Sequence, residues 1–436
     1  MGFYRATIKM ALKKCYSLVA LLSPDMAEDI KVLITQHFRA MKGDSTENMI
    51  IRKKVIRQSS PKIIIDLSCI SYIDAGTGIQ RVVNNVYANI VKIKGENEII
   101  PGRDWQGTYT TSRKYHAGAF HLKFDGIEYR LPLYKGDRLL LLDSIWDFYK
   151  DFTLLLSYAD KRGVQVSTVV YDLLPILYPK LFPSENSVNN FRQWQNLSLS
   201  QCDNVLCISR TVADAVADYY RTARIKRDKP LRLYYFHMGS HFEEVKGQVR
   251  KQIVDFVSQD NVFLMVGTLE IRKGHVMVLE ALEKMKKQGK SIKLLIIGHD
   301  GWKNNEFMKR LQRFSFDDVL WVQDATDAEL HWAYRHVSAV IAASRDEGFG
   351  LPLIEAAYFG VPIICSDIPI FREVTEGYAT FFKVMDSDSL AETLVRWMNT
   401  EVHPDSRKIR LYSWKESAQE ILDIMDGKVK PYKVLQ

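Results

Sequence analysis

The chain has 436 residues, 47% of them apolar and 26% charged, a composition typical of a soluble globular protein with room for two or three domains. Its longest apolar runs fall short of the ~18–20 residues that cross a bilayer, and the amino terminus lacks a signal-peptide core with a cleavage site. We therefore expect neither a membrane span nor secretion. The five cysteines are scattered without a Cys-x-x-Cys pair, which indicates buried thiols rather than disulfides or a zinc site.

The net charge of +8 is concentrated at the amino terminus. Residues 1–57 hold eleven Lys or Arg against five Asp or Glu, a net of +6. Within them, Ile8, Leu12, Cys15 and Val19 recur at helical spacing beside lysines, which is typical of a basic amphipathic helix on an anionic membrane surface. A helix packed on its own domain, or a partly disordered extension, explains the same pattern. No nucleic-acid motif occurs, so we expect no nucleic-acid partner.

Short apolar strands alternate with amphipathic helices from residue 61 onward, which predicts parallel sheets covered by helices on both faces. The pattern runs through residues 58–245 and starts again in 246–404, so we expect an α/β fold of two Rossmann-like, doubly wound domains. The charged stretch 245–260 suits a linker between them. Because ligands bind beyond the carboxyl ends of such strands, two facing domains would enclose a binding cleft.

Two glutamates in the second half, Glu347 and Glu355, stand eight residues apart. The first follows an apolar run that predicts a buried strand, and Gly348, Gly350 and Pro352 then suit a loop and the first turn of a helix. Both carboxylates would face a ligand over that helix N-terminus, where free N–H groups and the helix dipole favour negative charge. The segment therefore predicts a site for a phosphorylated, hydroxyl-rich ligand.

A second anion signal lies in the loop that begins at Gly267 and Thr268 and carries Arg272 and Lys273 before the next helix. Glycine permits close backbone approach, and the adjacent cations would neutralise a diphosphate. Adjacent cations are also common on solvated surfaces, and only the presence of residues 344–355 in the same domain favours a binding role.

Two other motifs do not support a cofactor or a metal. Residues 74–81 lack the third glycine of the dinucleotide fingerprint, and no suitable acidic residue follows the next strand, so an NAD site is not expected. Asp386 and Asp388 directly precede a predicted helix, which favours a helix cap over a metal-binding pair.

The stretches 266–273, 347–355 and 360–369 closely resemble the family 4 retaining glycosyltransferases of the GT-B fold. In the first half, residues 76–83 and 170–179 look like the bacterial members that build surface polysaccharides. The resemblance implies an acceptor domain, a nucleotide-sugar donor domain and a terminal helix that crosses back to the first domain. These parts would span 58–245, 246–404 and 405–436, and residues 1–57 have no counterpart in the family.

The resemblance also implies roles for residues of the donor domain. Glu347 would contact the donor sugar's hydroxyls, Glu355 the nucleotide ribose, and Arg272 and Lys273 the diphosphate. Retention by front-face attack needs no enzymatic nucleophile, so Glu347 would be a positioning group. No metal and no cofactor are expected besides the donor substrate, a nucleoside diphosphate sugar. The other residues expected at the donor are Gly267, Thr268, Gly348, Phe349, Gly350 and Leu351.

On the acceptor side, the resemblance is imperfect at one position. Many relatives place a histidine where this chain has Tyr171, and the neighbouring Asp172 is the substitute expected to meet the acceptor hydroxyl or the donor sugar, with a loop cap as the alternative. Gly78, Gln80 and Arg81 form the glycine loop, for which acceptor-side phosphate binding and simple packing are both open.

The expected reaction is transfer of a hexose to a growing glycan. The motifs lean toward mannosyltransferases of O-antigen and exopolysaccharide assembly, so GDP-mannose is the first donor predicted, with UDP-glucose or another UDP-sugar second. A lipid-linked acceptor and a cytoplasmic location, peripheral to the inner face of the plasma membrane, would fit the basic residues 1–57. One alternative is a GT-B sugar-nucleotide epimerase, which would need a different set of catalytic acids and histidines. The other is an inactive glycan-binding or scaffold subunit, against which the intact donor-site residues argue, namely Glu347, Glu355, Arg272 and Lys273.

Overall fold

The structure is a computed structural model that describes residues 60–72, 77–105, 108–112, 115–117, 122–124, 128–240, 247–302 and 305–436. The basic segment 1–57, with its expected membrane contact, lies outside the described residues, as do positions 74–76 of the glycine loop. The strands are β1 Ile63–Asp66, β2 Ile99–Trp105, β3 Thr108–Ser112, β4 Tyr115–Ala117, β5 Leu122–Phe124, β6 Glu128–Arg130, β7 Arg138–Leu141, β8 Gln165–Val170, β9 Asn204–Cys207, β10 Leu231–Tyr235, β11 Val262–Val266, β12 Lys293–Ile297, β13 Val319–Val322, β14 Ala339–Ala342, β15 Ile363–Ser366, β16 Thr380–Phe382 and β17 Lys433–Leu435.

The helices connect these strands in alternation over most of the described chain. They are α1 Ser68–Tyr72, α2 Gly78–Lys94, α3 Tyr149–Arg162, α4 Leu174–Leu177, α5 Glu185–Gln201, α6 Arg210–Thr222, α7 Lys251–Val257, α8 His275–Lys287, α9 Asn305–Leu311, α10 Asp327–His336, α11 Leu351–Phe359, α12 Pro369–Thr375, α13 Ser387–Met398 and α14 Trp414–Met425. Short 3₁₀ turns occur at Trp146–Phe148, Pro179–Leu181, Ile271–Lys273 and Ser406–Lys408.

Two sheets form the two domains. The first has the order β17-β10-β9-β8-β7-β1-β2-β3-β6, with β10 to β2 parallel and antiparallel strands at both ends. The second, β13-β12-β11-β14-β15-β16, is parallel throughout. Strands β4 and β5 pair separately. The prediction of two doubly wound α/β domains is therefore confirmed.

The central strands are apolar at nearly every position because both faces of each sheet are covered. In β1, Ile63 and Ile65 face one hydrophobic core while Ile64 faces another. In β11, Leu264 faces one core, and Phe263 faces the core on the other side of the sheet. Successive side chains of a strand point to opposite faces, so a strand buried on both faces loses the alternation of polar and apolar residues.

The end of the chain packs against the first domain. Trp414, Ala418 and Ile421 of α14 lie in the same core as Val83 of α2, and β17 pairs with β10 at the sheet edge. The returning chain passes very close to the segment after β10, since a Cβ added at Gly239 would lie 2.6 Å from atoms of Trp414. Glycine is therefore required where these two passages of the chain meet.

In the part of the chain that the structure describes, no helix combines the length and the apolar character that crossing a bilayer requires.

Candidate functional site

The two glutamates lie on either side of one sharp connection in the second domain. Glu347 is in the loop after β14, and Glu355 is one turn into α11. Gly350 starts the helix with a φ of 103°, a left-handed conformation that glycine adopts without steric cost. Pro352 follows in the first turn, where its missing N–H removes no helical hydrogen bond. Local sequence therefore fixes the sharp turn and the helix start on which the two carboxylates lie.

Glu347 lies at the centre of an ion cluster. Its Oε2 accepts from Arg272 Nη1 at 2.9 Å, and its Oε1 accepts from Lys273 Nζ and, at 2.7 Å, from Ser344 Oγ. Arg272 also donates through Nε to Glu270 Oε2 at 2.6 Å. The structure thus brings together Glu347, Arg272 and Lys273, three of the predicted site residues. Glu270 and Ser344 are additional members of the cluster.

Backbone contacts hold the two loops of this cluster together. The N–H of Arg345 donates to the carbonyl oxygen of Arg272 at 2.8 Å. Gly274, with a φ of 75°, ends the 3₁₀ turn that carries the cations, and a Cβ there would lie 2.2 Å from the carbonyl oxygen of Ala343. The cations are therefore presented by a backbone with little freedom to move.

The cluster's electrostatics favour its charged form. Burial opposes ionisation of Glu347, but Arg272 and Lys273 outweigh it and hold its pKa at about 2. Burial likewise works against the charge on Arg272, yet Glu347 and Glu270 raise the pKa of its guanidinium. Behind the cluster, burial and the nearby Lys273 lower the pKa of His275 to about 3, so this histidine is neutral at physiological pH. Glu347 therefore remains a carboxylate under all ordinary conditions.

This pKa shift predicts that Glu347→Gln lowers the free energy of unfolding by an amount that depends on pH. The pKa of Glu347 is about 2 in the fold against 4.5 for the ordinary carboxyl, so its ionisation contributes stability above pH 4.5 that is lost as the pH falls toward 2. The difference in unfolding free energy between wild type and Glu347→Gln should reach roughly 3 kcal/mol at pH 7 and shrink below pH 4.5. Urea unfolding at pH 7, 5 and 3.5 measures it.

Glu392→Gln, at an exposed position of α13, is the matched control and should differ little from wild type at any of these pH values. If Glu347→Gln lowered the free energy of unfolding by the same amount at every pH, lost packing rather than the lost ion cluster would explain the destabilisation.

Glu355 is 3% exposed and has a partner from each domain. Its Oε2 accepts from the hydroxyl of the buried Tyr334 at 2.6 Å, and its Oε1 accepts from Arg81 Nη1 at 2.9 Å. Arg81 belongs to α2 of the first domain, where the sequence predicted an acceptor-side role. The structure therefore places Arg81 against Glu355, the glutamate predicted to lie on the donor side.

The other residues of the glycine loop form a helix start. Thr77 and Gln80 make a reciprocal capping box, in which Gln80 Oε1 accepts from Thr77 N at 3.2 Å and Thr77 Oγ1 accepts from Gln80 N at 3.3 Å. Gly78 opens α2. For Gln80, the packing alternative thus has direct structural support, because its amide oxygen caps the helix.

Tyr171 and Asp172 have different surroundings. The Tyr171 side chain is buried in the core of the first domain that contains Ile63 and Ile65, and its hydroxyl donates to the carbonyl oxygen of Leu142 at 2.7 Å. Asp172 Oδ1 accepts from Leu174 N at 3.0 Å, which matches the loop-cap alternative. Burial raises the pKa of Asp172 and Arg272 opposes the rise, which places this carboxyl near the ion cluster.

The predicted donor loop, residues 343–350 between β14 and α11, contacts the first domain directly. A Cβ added at Gly348 would lie 2.2 Å from the carbonyl oxygen of Tyr171, and the Gly348 carbonyl accepts from Ser209 Oγ at 3.1 Å. Phe349 packs against one hydrophobic core of each domain. Leu351 packs against the core of the first domain that contains Ile63 and Ile65. These side chains therefore help to set how the two domains meet.

The remaining predicted donor residues lie where two strand ends meet. Gly267 follows β11 with a φ of 134°, and a Cβ on Gly298 would come within 2.0 Å of the Gly267 carbonyl oxygen. Thr268 lies in the same crossing, and the next residue, Leu269, forms a bridge with Asp300. The two loops are therefore packed closely against each other at this edge of the sheet.

Two further contacts join the domains and were not predicted from sequence. Trp302 Nε1 donates to the carbonyl oxygen of Leu181 at 2.9 Å. The carboxylate of Glu373, in α12, accepts from the N–H groups of Arg210 and Thr211 at 2.7 and 2.8 Å. Glu373 thus satisfies free N–H groups at the start of α6 from the opposite domain.

Sequence reasoning also missed Tyr334, Ser344 and Glu270. Ser344 stands three residues before Glu347, so its closeness to the carboxylate was readable from the loop. Glu270 lies two residues before Arg272 in the cation loop and was equally accessible. Tyr334 is 21 positions from Glu355, and only the packing of α10 against α11 brings its hydroxyl to the carboxylate.

The described ranges contain no group of three or more His, Cys, Asp or Glu side chains suited to a metal ion.

Comparison with known proteins gives a consistent picture. Residues 248–416 match the model of a family described as "Glycosyl transferases group 1". The chain is 27% identical over 391 residues to the serotype-specific mannosyltransferase WbdA of Escherichia coli, covering 85% of this chain and 47% of the relative. It is 28% identical over 278 residues to the O-antigen chain mannosyltransferase RfbU of Salmonella typhimurium, covering 60% of this chain and 71% of RfbU. The chain thus spans about half the length of WbdA.

Solved structures show the same fold. Anabaena HepE, in complex with UDP and glucose, has a TM-score of 0.53 at 14% identity over 84% of this chain and 95% of its own. A trehalose-phosphate synthase from Burkholderia xenovorans has a TM-score of 0.59 at 13% identity over 84% of this chain and 100% of its own. The chain therefore has the GT-B fold, its residues 248–416 match the group 1 glycosyltransferases, and as a whole it resembles bacterial O-antigen mannosyltransferases.

Proposed function

We propose that the protein is a retaining glycosyltransferase that moves a hexose, with mannose favoured, from a nucleoside diphosphate sugar to a growing surface glycan. The observation that carries the proposal is the convergence of Arg272 and Lys273 on the ionised Glu347 beside the start of α11. Two fixed cations suit a diphosphate, and a carboxylate beside them suits the hydroxyls of the sugar attached to it.

The geometry supports a positioning role for Glu347. A carboxylate with a pKa of about 2, bound by two cations and a serine, is a weak base and a poor nucleophile. In the proposed reaction the bond from the sugar's anomeric carbon to the phosphate oxygen breaks, and a bond to the acceptor oxygen forms on the same face. The acceptor's proton passes to the departing phosphate. Arg272 and Lys273 stabilise the charge that develops on the diphosphate.

Mannose is favoured by the relatives rather than by any side chain in the cleft. WbdA and RfbU are both named as mannosyltransferases, which supports GDP-mannose as the donor. A UDP-sugar is the second candidate because HepE, which shares the fold, is seen with UDP-glucose. Neither comparison fixes the base, so binding must decide between them.

The test begins with thermal-shift titrations of GDP and UDP. The nucleotide that binds should raise the melting temperature in a concentration-dependent way, because a ligand that binds only the folded state stabilises it by mass action. Release of nucleoside diphosphate from GDP-mannose and UDP-glucose, with a glycan acceptor, then identifies the donor. The anomeric configuration of the product tests retention. Tight nucleotide binding without turnover of any donor would favour the inactive scaffold instead.

We also propose that residues 1–57 bring the protein to an anionic membrane, where a lipid-linked acceptor would be found. The support is the net charge of +6 in this segment. Co-sedimentation of the full chain with anionic vesicles should exceed that with neutral vesicles, and replacing Lys9, Lys13 and Lys14 with glutamine should reduce it. Equal binding to both kinds of vesicle would contradict an electrostatic role.

A further inference from the structure

Arg81 and Glu355 form an ion pair across the cleft. The residues are 274 positions apart in sequence, and the distance from Arg81 Nη1 to Glu355 Oε1 is 2.9 Å. The Glu355 side chain is 4% exposed, whereas that of Arg81 is 37% exposed. The pair therefore joins a carboxylate that has almost no access to water to a cation that retains considerable access.

This pair and the proposed ribose contact use the same carboxylate. Tyr334 occupies Oε2 of Glu355 at 2.6 Å and Arg81 occupies Oε1, so both oxygens already have a partner. Tyr334 is fully buried and fixed in the second domain, which leaves the Arg81 side as the direction from which a ligand hydroxyl can approach. In the arrangement seen, Arg81 covers that direction.

We propose that Arg81 is a positioning residue that couples the two substrates: the nucleotide's ribose displaces its guanidinium from Glu355, and the released cation then faces the acceptor. The inference rests on the proposed function, since it requires a nucleoside diphosphate in the second domain. It adds an order of events, with the donor binding before the acceptor.

The difference in solvent exposure between Arg81 and Glu355 favours the replacement of the guanidinium by ribose hydroxyls. A buried carboxylate that loses its partner is costly, so Glu355 favours release of Arg81 only when hydroxyl donors replace it. Arg81, being partly exposed, can leave the pair and remain hydrated. Its guanidinium would then offer a planar set of donors to an anionic or hydroxyl-rich acceptor group. The equilibrium between the two positions is set by nucleotide occupancy.

The test compares wild type with Arg81→Gln and Arg81→Lys by calorimetric titration with GDP and UDP, and by steady-state kinetics. Arg81→Gln should bind the nucleotide about three- to tenfold more tightly, because no cation competes for Glu355. The same variant should raise the KM for the acceptor. Opposite changes for the two substrates are a result that general damage to the fold would not produce. Arg81→Lys retains the charge and should lie between the two.

Glu373→Gln is the matched control, because it weakens a different contact between the domains and leaves Glu355 untouched. It should leave nucleotide affinity within about twofold of wild type. Equal tightening by Glu373→Gln and Arg81→Gln would overturn the inference in favour of general domain opening, and unchanged or weaker nucleotide binding by Arg81→Gln would also overturn it. If wild type binds neither nucleotide, the proposed donor site itself fails, which is a separate outcome.

Discussion

Arg272→Ala should lower the turnover number by about two to three orders of magnitude, the range seen when a preorganised charge at a developing anion is removed. The guanidinium is 17% exposed and is held between Glu270 and Glu347, so its direction is set before substrate arrives. A charge fixed in this way needs little reorganisation as the diphosphate departs. Nucleoside diphosphate release under saturating donor and acceptor measures the effect.

The size of this loss should depend on the geometry as well as the charge of residue 272. Arg272→Lys keeps one positive charge but cannot donate to Glu270 and Glu347 through a planar fork, so we expect an intermediate turnover. Arg345→Ala is the control, because this exposed arginine contributes its backbone N–H, not its side chain, to the loop contact. Wild-type turnover in Arg272→Ala would show that the diphosphate binds elsewhere.

Local features of the site were predictable from sequence because they depend on neighbouring residues. The strand, glycine and proline around Glu347 and Glu355 determine a sharp turn and a helix start, and the structure has both. The loop with Arg272 and Lys273 follows β11, which pairs in parallel with β14. Because the carboxyl ends of parallel strands lie at the same edge of a sheet, this loop had to lie beside the loop that carries Glu347. That placement alone brings the cations to Glu347.

Contacts that depend on how distant elements pack were not predictable. The sequence suggested an acceptor-side role for Arg81, and nothing nearby indicated a partner 274 positions away. The family resemblance implies a histidine at the position of Tyr171, but the orientation of this tyrosine follows from the adjacent end of β7, where the Leu142 carbonyl oxygen accepts a hydrogen bond from its hydroxyl. At the end of the chain, α14 is followed by β17, and three residues are too few to show the period-2 pattern of a strand.

The contact of the donor loop with the first domain leads to a second large expected effect. Gly348→Ala should reduce turnover by about a hundredfold or more without weakening nucleotide binding. The added Cβ would lie 2.2 Å from the Tyr171 carbonyl oxygen and 3.2 Å from Asp172 Cβ. A backbone carbonyl cannot rotate away as a flexible side chain can, so the two domains must separate at this point. A displacement of about 1 Å between reacting groups can cost a hundredfold in rate.

Turnover and nucleotide affinity together distinguish loss of domain closure from loss of the nucleotide site. Nucleotide affinity, measured by calorimetry, should not fall in Gly348→Ala, and it should rise if separation of the domains also loosens the Arg81–Glu355 pair. Ser209→Ala is the comparison, since it removes the hydrogen bond to the Gly348 carbonyl without adding volume, and it should cost less than about tenfold in turnover. Because the Ser209 side chain also caps α6, the melting temperature of the Ser209→Ala variant must be measured in parallel. Turnover of Gly348→Ala close to wild type would mean that the donor loop does not press against the Tyr171 carbonyl during the reaction, and the closed arrangement of the domains would then not be the reactive one.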